Sequence, residues 1–171
     1  MLLIGFIIAA FVYRFVMLAV SVRNEKALRR DGAVECGARN STALAAAHVA
    51  FYLTAAAEGI VRNDPFDAVS AIGLCIYLFG AVMLLVVSRM LGPLWTVKLL
   101  VARNHRLVTN RLFRMVRHPN YYLNILPELI GFALTLHAYG TLLVGMVVYA
   151  VPLTLRIRLE EQVMRGNFAE Y

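Results

Sequence analysis

The sequence predicts an all-α integral membrane protein with five transmembrane helices, its N-terminus outside and its C-terminus cytosolic. Three observations predict it. Of 171 residues, 61% are hydrophobic and 16% charged, where a soluble domain has about 45–50% apolar and about 25% charged residues; the mean hydropathy is +0.70. Five apolar runs approach the roughly 20 residues that cross a bilayer. Of the 17 Lys and Arg, fifteen fall on one side of those runs, the asymmetry that marks a cytosolic face. Disorder is excluded by the hydrophobicity. The pI of 9.8 reads as cationic cytosolic loops rather than nucleic-acid binding. Five spans use about 100 residues, so one membrane domain fills 1–171.

The first run, residues 2–22, is interrupted by Arg14. It has no basic leader and no small-residue cleavage site, and is expected to stay as a span. A basic loop over 23–40 follows. The second run, 42–61, carries His48 and Glu58; the third, 68–88, has no charge; Asp64-Pro65 marks the turn between them. After a basic segment over 89–117 comes the fourth run, 121–139, with Asn124, Pro127, Glu128 and His137. The fifth, 140–156, is short, and Arg156 and Arg158 extend it by snorkelling to the interface. Cys36 and Cys75 have no zinc or CxxC spacing and are expected as free thiols.

The richest stretch is His105 to Tyr122, HRLVTNRLFRMVRHPNYY. Pro119 biases His118 toward an extended backbone and suits the first turn of the fourth span. A cationic, irregular approach then feeds a helix N-terminus, which suits an anion; the same stretch also reads as a basic loop on anionic lipid headgroups. A second cluster, Arg156-Ile157-Arg158-Leu159-Glu160-Glu161, closes the fifth span. Its carboxylates could hold a cation, or Arg156 could simply pair with Glu160 at i,i+4. A third cluster, Arg23-Asn24-Glu25-Lys26 with Gly32-Ala33-Val34-Glu35, lies on the same face and also reads as a positive-inside anchor. Among polar groups inside spans, His48, Asn124 and Glu128 stand out as functional candidates. Asn124 and Glu128 share a face; bundle-gluing hydrogen bonds are the other reading. No GxGxxG, P-loop or HExxH is present, and no metal site is expected.

His105-x-Leu107-Val108-Thr109, Leu112-Phe113-Arg114 and Arg117-His118-Pro119-Asn120-Tyr121, followed by Arg156 to Glu161 and the tail Phe168-Ala169-Glu170-Tyr171, resemble the isoprenylcysteine carboxyl methyltransferase family. The resemblance covers about residues 92–171. Asn110 and Asn124 depart from it where glycine is usual. The N-terminal half resembles small bacterial members, some of which O-methylate alkylpyrones or phenolic lipids.

The resemblance implies a transferase at a bacterial inner membrane that uses S-adenosylmethionine (SAM), with a cytosolic cofactor-binding loop and tail. The acceptor it implies is a lipophilic small molecule or prenyl compound, a carboxylate, enol or phenol entering from the bilayer. The cofactor-binding residues it implies are His105, Leu107, Val108, Arg117, His118, Pro119, Tyr121, Glu160 and Glu161. Arg117, Glu128 and Glu160 are the candidate catalytic residues, with Glu128 as base for a phenol. Asn24, Glu25 and Asn124 are the candidate acceptor contacts. Membrane lipids are the other expected partners, and nucleic acid is not one. An NADPH-dependent sterol-type reductase, which shares RHPNY, and a non-enzymatic membrane protein are the competing readings.

Overall fold

The computed structural model describes residues 2–101, 116 and 118–167. Helix α1 spans Leu2–Arg30, α2 Ala38–Arg62 and α3 Ala68–Leu91. A π-helical segment, Asn120–Ile125, runs into an α-helix, Leu126–Thr135, and together they form α4. A second π-helical turn, Thr141–Gly145, opens the last helix and continues through Met146–Asn167 as α5. Among the described residues, α1, α2, α3 and α5 are each long and apolar enough to cross a membrane. Their outward faces carry exposed Ile8, Phe15, Val61, Ile72, Val82 and Val147, a surface that suits lipid and not water. This is an integral membrane protein.

Three expectations change. The fourth run does not make a span of full length: its helical part, Asn120 to Thr135, reaches about 24 Å at 1.5 Å per residue, against about 30 Å for a bilayer core. Residues 23–30, read as loop, instead continue α1. Glu25 and Arg29 pair at i,i+4, and Leu28 is buried, so the charged turns are held on both faces. The chain is also not wholly helical. Val34–Glu35 (β1) and Leu100–Val101 (β2) pair antiparallel, Val34 against Val101 and Glu35 against Leu100.

That ladder ties the α1–α2 connection to residues 100–101 after α3, at one end of the bundle. The other joints meet at the opposite end. Asp67 caps α3, accepting from the Ser70 N–H at 2.9 Å, and its carboxylate accepts from His137 Nε2 at 3.1 Å. His137 stands at φ 53°, the left-handed position that ends a helix and usually takes glycine. Ala138 N–H returns to Ala133 O at 2.8 Å and His137 N–H to Leu134 O at 3.2 Å, the paired bonds of a Schellman stop. Glu58, also at this end, accepts from the Gly140 and Thr141 N–H groups and caps α5.

α4 packs most closely on α3, through glycines. A Cβ on Gly131 would sit 2.2 Å from Tyr77 N, and one on Gly80 2.8 Å from Glu128 N. Close backbone approach of this kind is how helices associate in lipid, where no hydrophobic effect drives them together. On its other face Phe132 stacks on Tyr52 of α2, with centroids 4.3 Å apart. Because Gly80 meets Asn124 and Glu128, α3 overshoots the start of α4 by about two turns. The loop end of the bundle is therefore left open above α4.

Candidate active site

The space above α4 is a cavity of about 450 Å³, walled by all five helices and by the strand-like segment from Leu94 to Leu100. This is the size of a small-molecule site, about 300–1,000 Å³. At its loop-side mouth stand His118, Tyr121 and Glu160; at its far end stand Arg14, His48, Tyr52 and Tyr149.

The mouth is assembled by three sequence-distant pieces. Pro119 is buried at the first turn of α4, as its residue type implies. It follows His118, whose carbonyl accepts from the Tyr121 and Tyr122 N–H groups at 3.1 and 3.2 Å. His118 is 5% exposed and lies between the carboxylates of α5, 3.4 Å from Glu161 and 3.9 Å from Glu160. Those carboxylates, Glu160 foremost, raise the imidazole above its ordinary value and outweigh the desolvation that opposes them. Tyr121 donates its hydroxyl to Glu160 Oε2 at 2.5 Å. The His118 and Tyr121 rings lie 5.8 Å apart.

Arg156 fixes this arrangement. It is 4% exposed and donates to the Tyr121 hydroxyl oxygen at 3.2 Å, to Ser41 Oγ at 2.8 Å and to Val97 O at 3.1 Å. One guanidinium thus joins α2, α4, α5 and the loop, a task its planar fork suits. The i,i+4 pairing with Glu160 read from sequence becomes a link through Tyr121.

The far end holds a buried ion pair. Glu128 is fully buried; its Oε1 accepts from Arg14 Nε and from the Tyr52 hydroxyl. With its amide turned to match donors with acceptors, Asn124 donates to Glu128 Oε2 at 2.9 Å and to Gly80 O at 3.3 Å. Both carboxylate oxygens are therefore engaged. Glu128, read from sequence as a base, is placed as the counter-ion of Arg14. Asn124 lines the cavity.

Asn24 and Glu25, the other candidate acceptor contacts, lie outside the cavity lining. Asn24 Nδ2 donates to Trp95 O at 2.9 Å and Gly92 O at 3.2 Å. Glu25 pairs with Lys98 at 2.7 Å as well as with Arg29. They hold the loop that walls the cavity. His105, Leu107, Val108 and Arg117 lie outside the described residues. The reading from sequence passed over Arg14, Trp95 and Lys98 as site residues, placed Arg156 in a candidate cluster without a role of its own, and named His48 as a functional candidate without assigning it a step. Arg14 had a signal, being the lone charge in an apolar run; Arg156 had one as the first cation after its span. Trp95 and Lys98 had none.

A protein of Haemophilus influenzae described as uncharacterised is 46% identical over 155 residues, covering 91% of this chain and 90% of its own length. The similarly described YpbQ of Bacillus subtilis is 29% identical over 158 residues, covering 90% and 91%. No solved structure matches. The family pattern that matches, over residues 71–166, takes in α3, α4, α5 and the His118–Glu160 mouth; by it the chain belongs to the isoprenylcysteine carboxyl methyltransferase (ICMT) family.

Proposed function

We propose that this protein is a SAM-dependent O-methyltransferase acting on a lipophilic acceptor, with its active site at the cytosolic face of a bacterial inner membrane. Family membership supports methyl transfer in general. The observation that carries the specific reading is His118, buried between two carboxylates on the cavity wall, with Nε2 3.4 Å from Glu161 and Nδ1 3.9 Å from Glu160. The basic residues described at that same end, Arg29, Arg30, Arg39, Arg89 and Lys98 among them, favour the cytosol. With α4 counted as a shorter fifth crossing, that reading has the N-terminus outside and the C-terminus inside.

The residues present fit SAM. Its α-ammonium calls for a carboxylate, and Glu160 and Glu161 supply two. Its carboxylate calls for a cation; Lys98 lines the cavity but is held by Glu25, and His105 and Arg117 are the candidates from sequence. Trp95 lines the cavity, and its buried Nε1–H lacks a hydrogen-bond partner among the described residues. An aromatic face beside a sulfonium contributes about 0.5–2 kcal/mol. SAM, when bound, supplies an electrophilic methyl group. The chain's work is to orient and desolvate: Arg156 locks Tyr121, Tyr121 and His118 hold Glu160, and the apolar walls exclude water. Positioning of this kind accounts for much of the acceleration of a displacement.

The test is calorimetric binding of SAM, S-adenosylhomocysteine and NADPH to the detergent-purified protein. SAM or its product should bind, and binding should be lost in His118→Ala and in Glu160→Ala. Binding retained by both variants would remove these assignments. Binding of NADPH alone would make the protein a reductase.

A further inference from the structure

At the end of the cavity away from Glu160, two groups have no role in cofactor binding. Arg14 Nη2 and His48 Nε2 are buried and lack a hydrogen-bond partner among the described residues, and both residues line the cavity. They share one neighbour. The Arg14 guanidinium lies 5.8 Å from the centroid of the Tyr52 ring, and the His48 imidazole stacks on that ring at 5.1 Å. Arg14 Nε is tied to Glu128, and His48 Nδ1 lies 3.4 Å from the Tyr149 hydroxyl. Buried polar atoms in native proteins nearly always have partners. Two orphans on the wall of one cavity mark the place of a ligand oxygen.

We infer, building on the methyltransferase reading, that Arg14 and His48 hold the reacting oxygen of the methyl acceptor and that His48 takes its proton. Such a base serves the hydroxyl acceptors already expected, a phenol or an enol. Charge favours this over a carboxylate. Arg14 is already balanced by Glu128, so a carboxylate would bring a second anion beside Glu128 in a low-dielectric interior, whereas a hydroxyl arrives neutral. Glu128 is not free to act as base, because Arg14 and Tyr52 occupy its Oε1. His48 Nε2 is free. It accepts a proton in the tautomer that carries hydrogen on Nδ1, with the Tyr149 hydroxyl oxygen as acceptor for that N–H. In the step, the acceptor O–H bond breaks and its proton goes to His48 Nε2. The oxygen's electron pair forms the O–CH3 bond, and the S–CH3 bond of the donor breaks with its pair left on sulfur. Arg14 Nη2 donates to the oxygen as negative charge develops on it.

The probes are a long-chain alkylphenol, a long-chain alkylnitrophenol that ionises near neutral pH unaided, and S-farnesyl cysteine as the carboxylate. Wild-type protein should methylate the alkylphenol. His48→Gln should slow that by about 100-fold or more, the usual range for a lost general base, with calorimetric SAM binding unchanged. The loss should shrink below about tenfold with the nitrophenol, which needs no base. A second readout needs no turnover. Binding, followed by fluorescence of Trp95, the chain's one tryptophan and a cavity residue, should be accompanied by the nitrophenolate absorbance in wild type and less of it in His48→Gln. His48→Asn carries the same test if the glutamine variant fails to fold. Equal losses with both phenols, no loss with either, or transfer to S-farnesyl cysteine alone would overturn the inference while leaving methyl transfer standing. A wild type that binds no SAM would overturn both.

Discussion

The Arg14–Glu128 pair gives the sharpest physical test of the bundle. Glu128 has no exposed side-chain surface and Arg14 is 22% exposed, so the pair bridges α1 and α4 in a site almost closed to solvent. Arg14→Met leaves the carboxylate with only Tyr52 and Asn124. Glu128→Met leaves a guanidinium with no counter-ion. Breaking a buried pair from either side costs about 3–5 kcal/mol, because the remaining charge stays desolvated. For a chain of this length, 1 kcal/mol moves Tm by about 2–4 °C, so each single variant should melt about 6–20 °C below wild type. The double variant removes both charges. What remains is the unpaired Tyr52 hydroxyl and Asn124 amide, each about 1–3 kcal/mol, a cost that Glu128→Met already carries. The double variant should therefore melt no lower than Glu128→Met. The assay is thermal unfolding in one detergent at one scan rate, followed by far-ultraviolet circular dichroism, since melting temperatures of proteins that unfold irreversibly depend on scan rate. A double variant that falls by the sum of the two singles would show that the groups are independent, and the counter-ion assignment of Glu128 would be wrong.

Three further outcomes follow from the geometry. Arg156→Lys keeps the charge but reaches only one of the three acceptors on Tyr121, Ser41 and Val97; two lost charge-assisted bonds should cost about 2 kcal/mol or more, seen as a lower Tm and weaker SAM binding. His118, raised by Glu160 and Glu161, should contribute stability that is full below its unfolded value near 6.5 and that fades as pH rises through its elevated folded value; His118→Gln should flatten the Tm profile in that window, and an unchanged slope would exclude the ion pair. Gly131→Ala puts a methyl 2.2 Å from Tyr77 N and 2.7 Å from Gly73 O, backbone atoms that cannot turn aside, and should destabilise by about 1–3 kcal/mol in the same melting assay.

The sequence by itself determined the class of this protein. Hydropathy and run length are one-dimensional properties, so four of the five expected spans and the joints at Asp64-Pro65 and near Gly140 were legible. His118-Pro119 and Glu160-Glu161 also stood out as local motifs whose residue types announce charge and a helix start, and the fold brings His118 to 3.4 Å from Glu161. Tertiary structure decided what hydropathy cannot see. A run of apolar residues does not reveal that residues 136–138 end α4 early in a left-handed turn at His137, or that charged residues 23–30 stay helical because Asn24 and Glu25 bond to a loop some 70 residues away. Nor can spacing show that Arg14 and Glu128, separated by 114 positions, cancel each other's charge. That contact turns a candidate base into a counter-ion and leaves Arg14 Nη2 and His48 Nε2 as the open polar groups at the far end of the cavity. Pairing across helices depends on which faces meet, and here that is set by glycines 73, 80 and 131, the residues with the least chemistry of their own.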